Sequence, residues 1–553
     1  MTLFKKLQAL GYQHRWPLIV LALTWGWYFC YLFVKMIRVG ADGLWVGHQN
    51  VWSDWALHIS MAQLFAFKSP ELWFAYHPLY AGGQFTYPSL TNFISGMLMR
   101  LGLPLPAAFI IPSLLFVILL LIGLYTLFVL LLRSRWPAMV ALSLFFLSAG
   151  LGFVNFWPEW LAGTASLAYP PQDYSSLPEY QWYAGNVAVG LLIPQRAFLL
   201  GLTIGTWVLV LLVTALRGLE RRLPQTKAAL LWAGILAGLL PIAHSHSFIA
   251  MIVLTGLLCF VQWRHWRILL WYVVPAGLLS TTLFFSFIAG GIENDAFTQW
   301  QPGWVANASV GEWLWFWGYV WGPMVPAALI GLWLAVRTKQ RQLAVLGAGA
   351  LVLFALANLI VFQPIHWDNT KLLWWAYLIF AGLATVLLAK LWQQRFWQRV
   401  VAAVLVLLLT MTGALELIRL GQIEQHEFQI TTADDIALGL ELRHSTDPLA
   451  RFLTAPQHNH FVMVWALRPI LLGYTAWAWN FGFDHEQRER DLRTMYLGTD
   501  TTNELLARYQ ISYVVIGPTE FHDLQANEAF FAEQFPLAFS NQQYRIYDTR
   551  RLW

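Results

Sequence analysis

Residues 107 to 132, AAFIIPSLLFVILLLIGLYTLFVLLL, run without a single charged side chain. A helix rises 1.5 Å per residue, so about 20 apolar residues cross a hydrocarbon layer of ~30 Å. Lipid offers no partner to a free backbone amide or carbonyl, and only a helix satisfies both within one segment. This stretch therefore reads as a membrane-spanning helix, and the rest of the chain repeats its character.

Ten further apolar runs are expected to span, near residues 17 to 37, 137 to 155, 190 to 215, 228 to 243, 247 to 262, 268 to 289, 313 to 336, 342 to 363, 372 to 390 and 397 to 415. The run from 228 to 262 is also compatible with one re-entrant element. The chain of 553 residues is 58% hydrophobic and 11% charged, with a mean hydropathy of +0.53. Soluble proteins carry roughly 25% charged residues, so this is a polytopic membrane protein. Many of its 32 Trp residues lie near the ends of the apolar runs, where indole rings prefer to sit.

The basic residues report orientation. With the amino terminus inside, the inner loops hold Lys5, Lys6 and Arg15; Arg133 and Arg135; Arg217, Arg221, Arg222 and Lys227; Arg264 and Arg267; Arg337, Lys339 and Arg341; and Lys390, Arg395 and Arg399. That is the positive-inside pattern. The outer loops, 38 to 106, 156 to 189, 290 to 312 and 364 to 371, are poor in Lys and Arg and rich in Trp, Tyr, Pro and Gly. The net charge of +5 is spread among short loops and forms no stripe for nucleic acid. The first segment is too long, and too closely followed by others, to be a cleaved signal peptide.

Two regions are expected: a membrane domain over residues 1 to 415, whose first outer loop (38 to 106) contains juxtamembrane helices, and a small soluble α/β domain over 416 to 553 on the outer side. In the second region RFLTA, PILLGY, YVVIG and YRIYD read as strands, and DHEQRERDLRTMYL and TTNELLARY as helices. The fold class is thus mostly α, a polytopic bundle with an α/β carboxyl-terminal domain. Cys30 and Cys259 both fall within expected spans and suggest packing, with no disulfide framework.

Polar groups that could carry chemistry gather at the outer ends of spans. VWSDWALHIS (51 to 60) places Asp54 and His58 one helical turn apart in an otherwise apolar helix expected to lie along the membrane surface. Asp54 is read as a general base whose orientation or pKa His58 sets; the alternative is a helix-capping carboxylate with an incidental imidazole. FAYHPLYAGGQFTYPSLTNFISGML (74 to 98) offers His77, Gln84 and Tyr87 as substrate contacts or as interfacial anchors. LIPQRAFLLGL brings Arg196, PIAHSHSFIA brings His244 and His246, and PIHWDNTKLLWW brings Asp368, Asn369 and Lys371. Ionisable groups at a membrane edge cost free energy unless paired or hydrated, which makes them functional candidates. Arg196, Lys371, His244 and His246 suit a phosphate, and Asp368 and Asn369 a substrate. For Lys371 the structural alternative is snorkelling, and for the His-Ser-His triplet turn hydrogen bonding. The triplet is also a weak metal pattern without a third ligand. No P-loop, zincin motif or Gly-x-Ser-x-Gly elbow occurs.

A multispan chain with an acidic residue in a long first outer loop, cations at outer span ends and a soluble domain after the last span resembles the GT-C superfamily of membrane glycosyltransferases. That superfamily includes protein O-mannosyltransferases, aminoarabinose transferases and oligosaccharyltransferases. The tail from Arg468 to Glu520 also looks like those of large prokaryotic membrane proteins grouped with them. The resemblance implies inverting transfer of a sugar from a polyprenyl-phosphate-linked donor to a hydroxyl of a lipid, glycan or protein. Asp54 would serve as base, and Arg196 and Lys371 would hold the leaving phosphate. It implies the extracytoplasmic face of a prokaryotic plasma membrane, and no cofactor, though a divalent cation is compatible. Relatives often carry adjacent acidic residues in this loop, whereas here Asp54 stands between Ser53 and Trp55. In some the acid follows the first span more closely, which makes Asp42 the second candidate. Glu159, Asp173, Glu293 and Asp295 are weaker candidates for acceptor or metal contacts. A lipid or solute transporter is the alternative class; transporters carry polar groups at mid-span within paired repeats, and no repeat is visible here.

Overall fold

The computed structural model describes residues 14–47, 52–220, 225–290 and 297–553. Among them, eight helices are long and apolar enough to cross a membrane, and a ninth is a bent pair, Val310–Val320 with Met324–Arg337. Two of the eleven expected spans are shorter helices, Arg135–Phe146 and Ser245–Val261. The run expected over 137 to 155 does not continue as one helix. It stops at Phe146, turns through Gly150 at φ 70°, and restarts as Phe153–Leu161. Thr412 fixes that turn by donating to the Gly150 carbonyl at 2.8 Å and accepting from the Phe153 amide at 2.9 Å. The 83° bend of the pair falls at Gly322, φ 56°, followed by Pro323, where a straight helix loses both geometry and a donor.

The central helix of the bundle is Thr370–Trp392, buried along most of its length. Met324–Arg337 packs on it so closely that a Cβ at Gly331 would stand 2.0 Å from the Leu383 carbonyl. Small residues let helix backbones approach where lipid supplies no hydrophobic drive.

The first loop opens with an antiparallel hairpin, Ile37–Gly40 against Gly43–Gly47, and then forms the helices Trp52–Phe67 and Leu90–Arg100. The last span runs to Leu420, slightly past the expected boundary. The tail then returns to the first loop. Its strand Glu427–Thr432 pairs antiparallel with Gly43–Gly47 to make a three-stranded sheet. Ser60 Oγ and Gln63 Nε2 donate to the Met463 and Val464 carbonyls at 3.0 and 2.7 Å, and Tyr76 Oη donates to Leu467 at 2.8 Å. Tail and first loop therefore share one end of the bundle. The rest of the tail holds a four-stranded mixed sheet in which Ile511–Ile516, buried throughout, lies between Arg451–Leu453 and Arg545–Asp548. Both expected helices of the tail and three of its four expected strands are present; PILLGY (469–474) forms no strand and meets the sheet through a single bridge between Ile470 and Phe452.

Candidate active site

The Trp52–Phe67 helix carries Asp54 in its first turn. A helix lying on a membrane surface shows a polar face, but this one is buried at every position from Trp55 through Ala66, between the bundle and the tail. Asp54 remains half-buried. Gln195 Nε2 lies 3.4 Å from its Oδ2, and the Trp477 indole of the tail hydrogen-bonds it as well. Burial pushes the Asp54 carboxyl up to about 6, against the pull of Lys371 and with the push of Asp368. Its carboxylate bonds side chains, so it is more than a cap of its own helix.

His58 does not turn to Asp54. Its Nδ1 accepts from Asn92 Nδ2 at 3.1 Å, which leaves the proton of the neutral ring on Nε2. Burial, reinforced by the nearby charges of Arg196 and Lys371, pushes the imidazole down to about 3. The expected influence of His58 on Asp54 is therefore replaced by that of Gln195, Trp477 and Lys371.

Arg196 begins the helix Arg196–Glu220 and is 1% exposed. Its Nη2 donates to Ser95 Oγ at 2.6 Å and its Nε to Ser113 Oγ at 3.1 Å, while the guanidinium lies 4.2 Å from the centre of the Phe109 ring. Nη1 has no partner and no carboxylate pairs with this cation, among the described residues. A buried charge with no carboxylate beside it favours an anionic ligand.

Lys371 Nζ sits 2.6 Å from Asp368 Oδ1, and Asn480 of the tail donates to Asp368 Oδ2 at 2.9 Å. His246 lies within reach of the charges of Lys371 and Asp368, with its Nε2 unpartnered. His244 caps the helix Ser245–Val261: its Nδ1 accepts from the Ser247 amide at 3.1 Å and contacts Ser247 Oγ at 2.9 Å. The turn reading thus describes His244, while its ring lies tilted against that of His246, their centres 5.7 Å apart. Tyr87 completes the cluster, its ring 6.1 Å from His58 and its hydroxyl within range of Asp54 and Asp368.

Four other candidates lie apart or are otherwise engaged. His77 is enclosed by Phe85, Phe481 and Phe483, and burial pushes it down to about 3. Gln84 is exposed beside Gly290. Asn369 is spent on the Phe362 amide and the Ala357 and Ile360 carbonyls. Asp42, at the hairpin tip, accepts from the Trp45 indole at 3.0 Å. Glu159 is engaged by Gln172 and Tyr174, and Asp173 by Ser175; Glu293 and Asp295 lie outside the described residues. Among the described residues no three His, Cys, Asp or Glu side chains converge as metal ligands. Sequence reading missed Gln195, Asn92, Ser95, Ser113, Trp477 and Asn480. Only Gln195 carried a signal, its place beside Arg196.

No protein-family model and no curated protein matches the chain. Among solved structures, it superposes on the archaeal oligosaccharyltransferase AglB from Archaeoglobus fulgidus, in complex with an inhibitory peptide and a dolichol-phosphate. The TM-score is 0.52 at 11% identity, over 93% of this chain and 70% of that one. The same enzyme in complex with Zn and sulfate gives 0.52 at 11% identity, over 96% and 73%. ArnT from Cupriavidus metallidurans in the apo state gives 0.48 at 14% identity, over 97% and 98%. The chain is an integral membrane protein that shares the fold of the archaeal oligosaccharyltransferase AglB.

Proposed function

We propose that this chain is a glycosyltransferase that moves a sugar from a polyprenyl-phosphate-linked donor to an acceptor hydroxyl, with inversion, at the extracytoplasmic face of a prokaryotic plasma membrane. The observation that carries the reading is a half-buried carboxylate, Asp54, bonded to Gln195, whose neighbour Arg196 is fully buried and paired with no carboxylate among the described residues. The AglB structure in complex with dolichol-phosphate supports the donor class, because that enzyme shares this fold.

Asp54 accepts the acceptor's hydroxyl proton as the acceptor oxygen forms its bond to the anomeric carbon. The bond from that carbon to the phosphate oxygen breaks, and the phosphate leaves with the electron pair. An inverting displacement puts base and leaving group on opposite sides of the sugar. Arg196 donates from Nη1 to the phosphate, and Lys371 turns from Asp368 toward the charge that grows there. Neutral His58 offers its Nε2 proton without adding charge, and Tyr87 contacts the sugar. His246 faces the phosphate, while His244 fixes the start of its helix. Asp368 orients Lys371. Asp54 and Asp368 are the two carboxylates available to a divalent cation, and no step depends on one. The acceptor is a lipid, glycan or protein hydroxyl.

The test is transfer from polyprenyl-phosphate sugars by the purified chain in nanodiscs, compared with Asp54→Asn. Wild-type transfer lost in the variant is expected. Equal turnover removes Asp54 as base; binding and movement of lipid without transfer makes the chain a transporter.

A further inference from the structure

Three buried hydrogen-bond donors stand near one another with nothing to donate to. Arg196 Nη1, the Trp55 indole Nε1 and Thr91 Oγ1 are each unpartnered among the described residues, and the three residues are at most 1% exposed. Native structures leave few buried polar atoms unmatched, because each one costs free energy. Three in one neighbourhood call for an occupant that accepts from all of them.

The donors belong to three helices, Trp52–Phe67, Leu90–Arg100 and Arg196–Glu220, and short contacts join them. The centre of the Phe109 ring lies 4.2 Å from the Arg196 guanidinium and 6.3 Å from the Trp55 ring. On its own helix Trp55 stands between Asp54, which bonds the Gln195 beside Arg196, and His58, which the charge of Arg196 reaches. Thr91 is one helical turn before Ser95, the acceptor of Arg196 Nη2 at 2.6 Å, so both lie on one face. The helix of Thr91 begins one residue earlier, with no acidic side chain in its first turn and no side-chain cap, and its positive end adds to the same field.

The number of donors bears on the ligand. A carboxylate has two oxygens in a plane, and a phosphodiester has two terminal oxygens. A phosphate monoester has three, spread as a tripod. Donors from three helices match the tripod.

We infer that Trp55 and Thr91 join Arg196 in binding the terminal oxygens of a phosphate monoester, the form in which the lipid carrier leaves. This rests on the role proposed above for Arg196. In the donor the phosphate bridges sugar and lipid. When its bond to the anomeric carbon breaks, the bridging oxygen keeps the electron pair and becomes the third terminal oxygen. The third donor thus meets charge that appears only as the reaction proceeds, which lowers the barrier more than it tightens donor binding.

The full chain in nanodiscs is titrated with undecaprenyl phosphate, a monoester, and with its methyl ester, a diester, above about pH 7.5, where the monoester carries two charges. Trp55→Phe and Thr91→Val each remove one donor and keep the shape; Trp321→Phe removes another buried, unpartnered indole N–H outside this group. Thermal unfolding confirms that each variant is folded, and either of the first two alone suffices for the test. Wild type is expected to bind the monoester about tenfold tighter than the methyl ester, the worth of one hydrogen bond to a charged group. Trp55→Phe and Thr91→Val should each narrow that preference about fivefold, and Trp321→Phe should keep it. Equal affinity of wild type for the two lipids, or an unchanged preference in both donor variants, overturns the inference. If Arg196→Lys still weakens undecaprenyl phosphate binding in that case, the proposed donor site stands without Trp55 and Thr91; if wild type binds neither lipid, both readings fall.

Discussion

The Lys371 ammonium stands 2.6 Å from Asp368 Oδ1, and both side chains are largely buried. The pair leaves the lysine neutralised at rest, close enough to Asp54 for its charge to act there. Lys371→Met is expected to lower transfer by about 10²-fold, as loss of one preorganised charge at a leaving group does. It would also raise the pH at which activity is half-maximal, since the lysine pulls the Asp54 carboxyl down. A pH–rate profile of the variant checks both.

Asp54→Asn is expected to reduce kcat by 10²- to 10⁴-fold, the usual contribution of a positioned base, while donor affinity stays within a few-fold. In wild type the rate should fall as pH drops through about 6, because the base must be ionised. Stability moves the other way. The folded carboxyl binds its proton more tightly than the unfolded one, whose reference value is 3.8, so stability rises as pH falls from above 6 toward 4. Asp54→Asn should therefore stabilise the fold at neutral pH by about 1 kcal/mol, read from thermal unfolding.

Arg196→Lys keeps the charge but loses the fork that reaches Ser95, Ser113 and an anion at once. Donor KM is expected to rise about tenfold or more, the worth of one charge-assisted hydrogen bond. Unchanged KM would remove Arg196 from the donor site.

Trp477 ties the tail to the candidate base and Asn480 ties it to Asp368. Asn480→Ala leaves Asp368 Oδ2 without its 2.9 Å donor and should cut kcat about fivefold, through an unanchored carboxylate rather than unfolding. A loss of solubility in place of a kinetic effect would mark a purely structural role.

Gly331→Ala tests the bundle itself. A methyl there meets the Leu383 carbonyl at 2.0 Å, so the two helices must separate. Destabilisation of about 1–3 kcal/mol is expected, as for overpacked cores.

The order of apolar runs, their end residues and the alternating basic loops were enough to place nearly every helix of the bundle. A run of 26 apolar residues has one stable form in lipid, and that constraint is local. Asp54, Arg196 and Lys371 stood out because ionisable groups at membrane edges are costly. What the sequence could not supply was their partners. Nothing local marks Asn480 as the donor to Asp368, or Asn92 as the reason His58 turns from Asp54, since those contacts join residues 112 and 34 positions apart. The helix around Asp54 was expected to lie along the membrane surface, and only packing between the bundle and the tail makes it buried. The sequence determined a membrane bundle and its exceptional charges through the solvent each segment must face. The tertiary structure decided which of those charges meet, because that follows from long-range packing between segments whose hydrophobicity alone does not distinguish one neighbour from another.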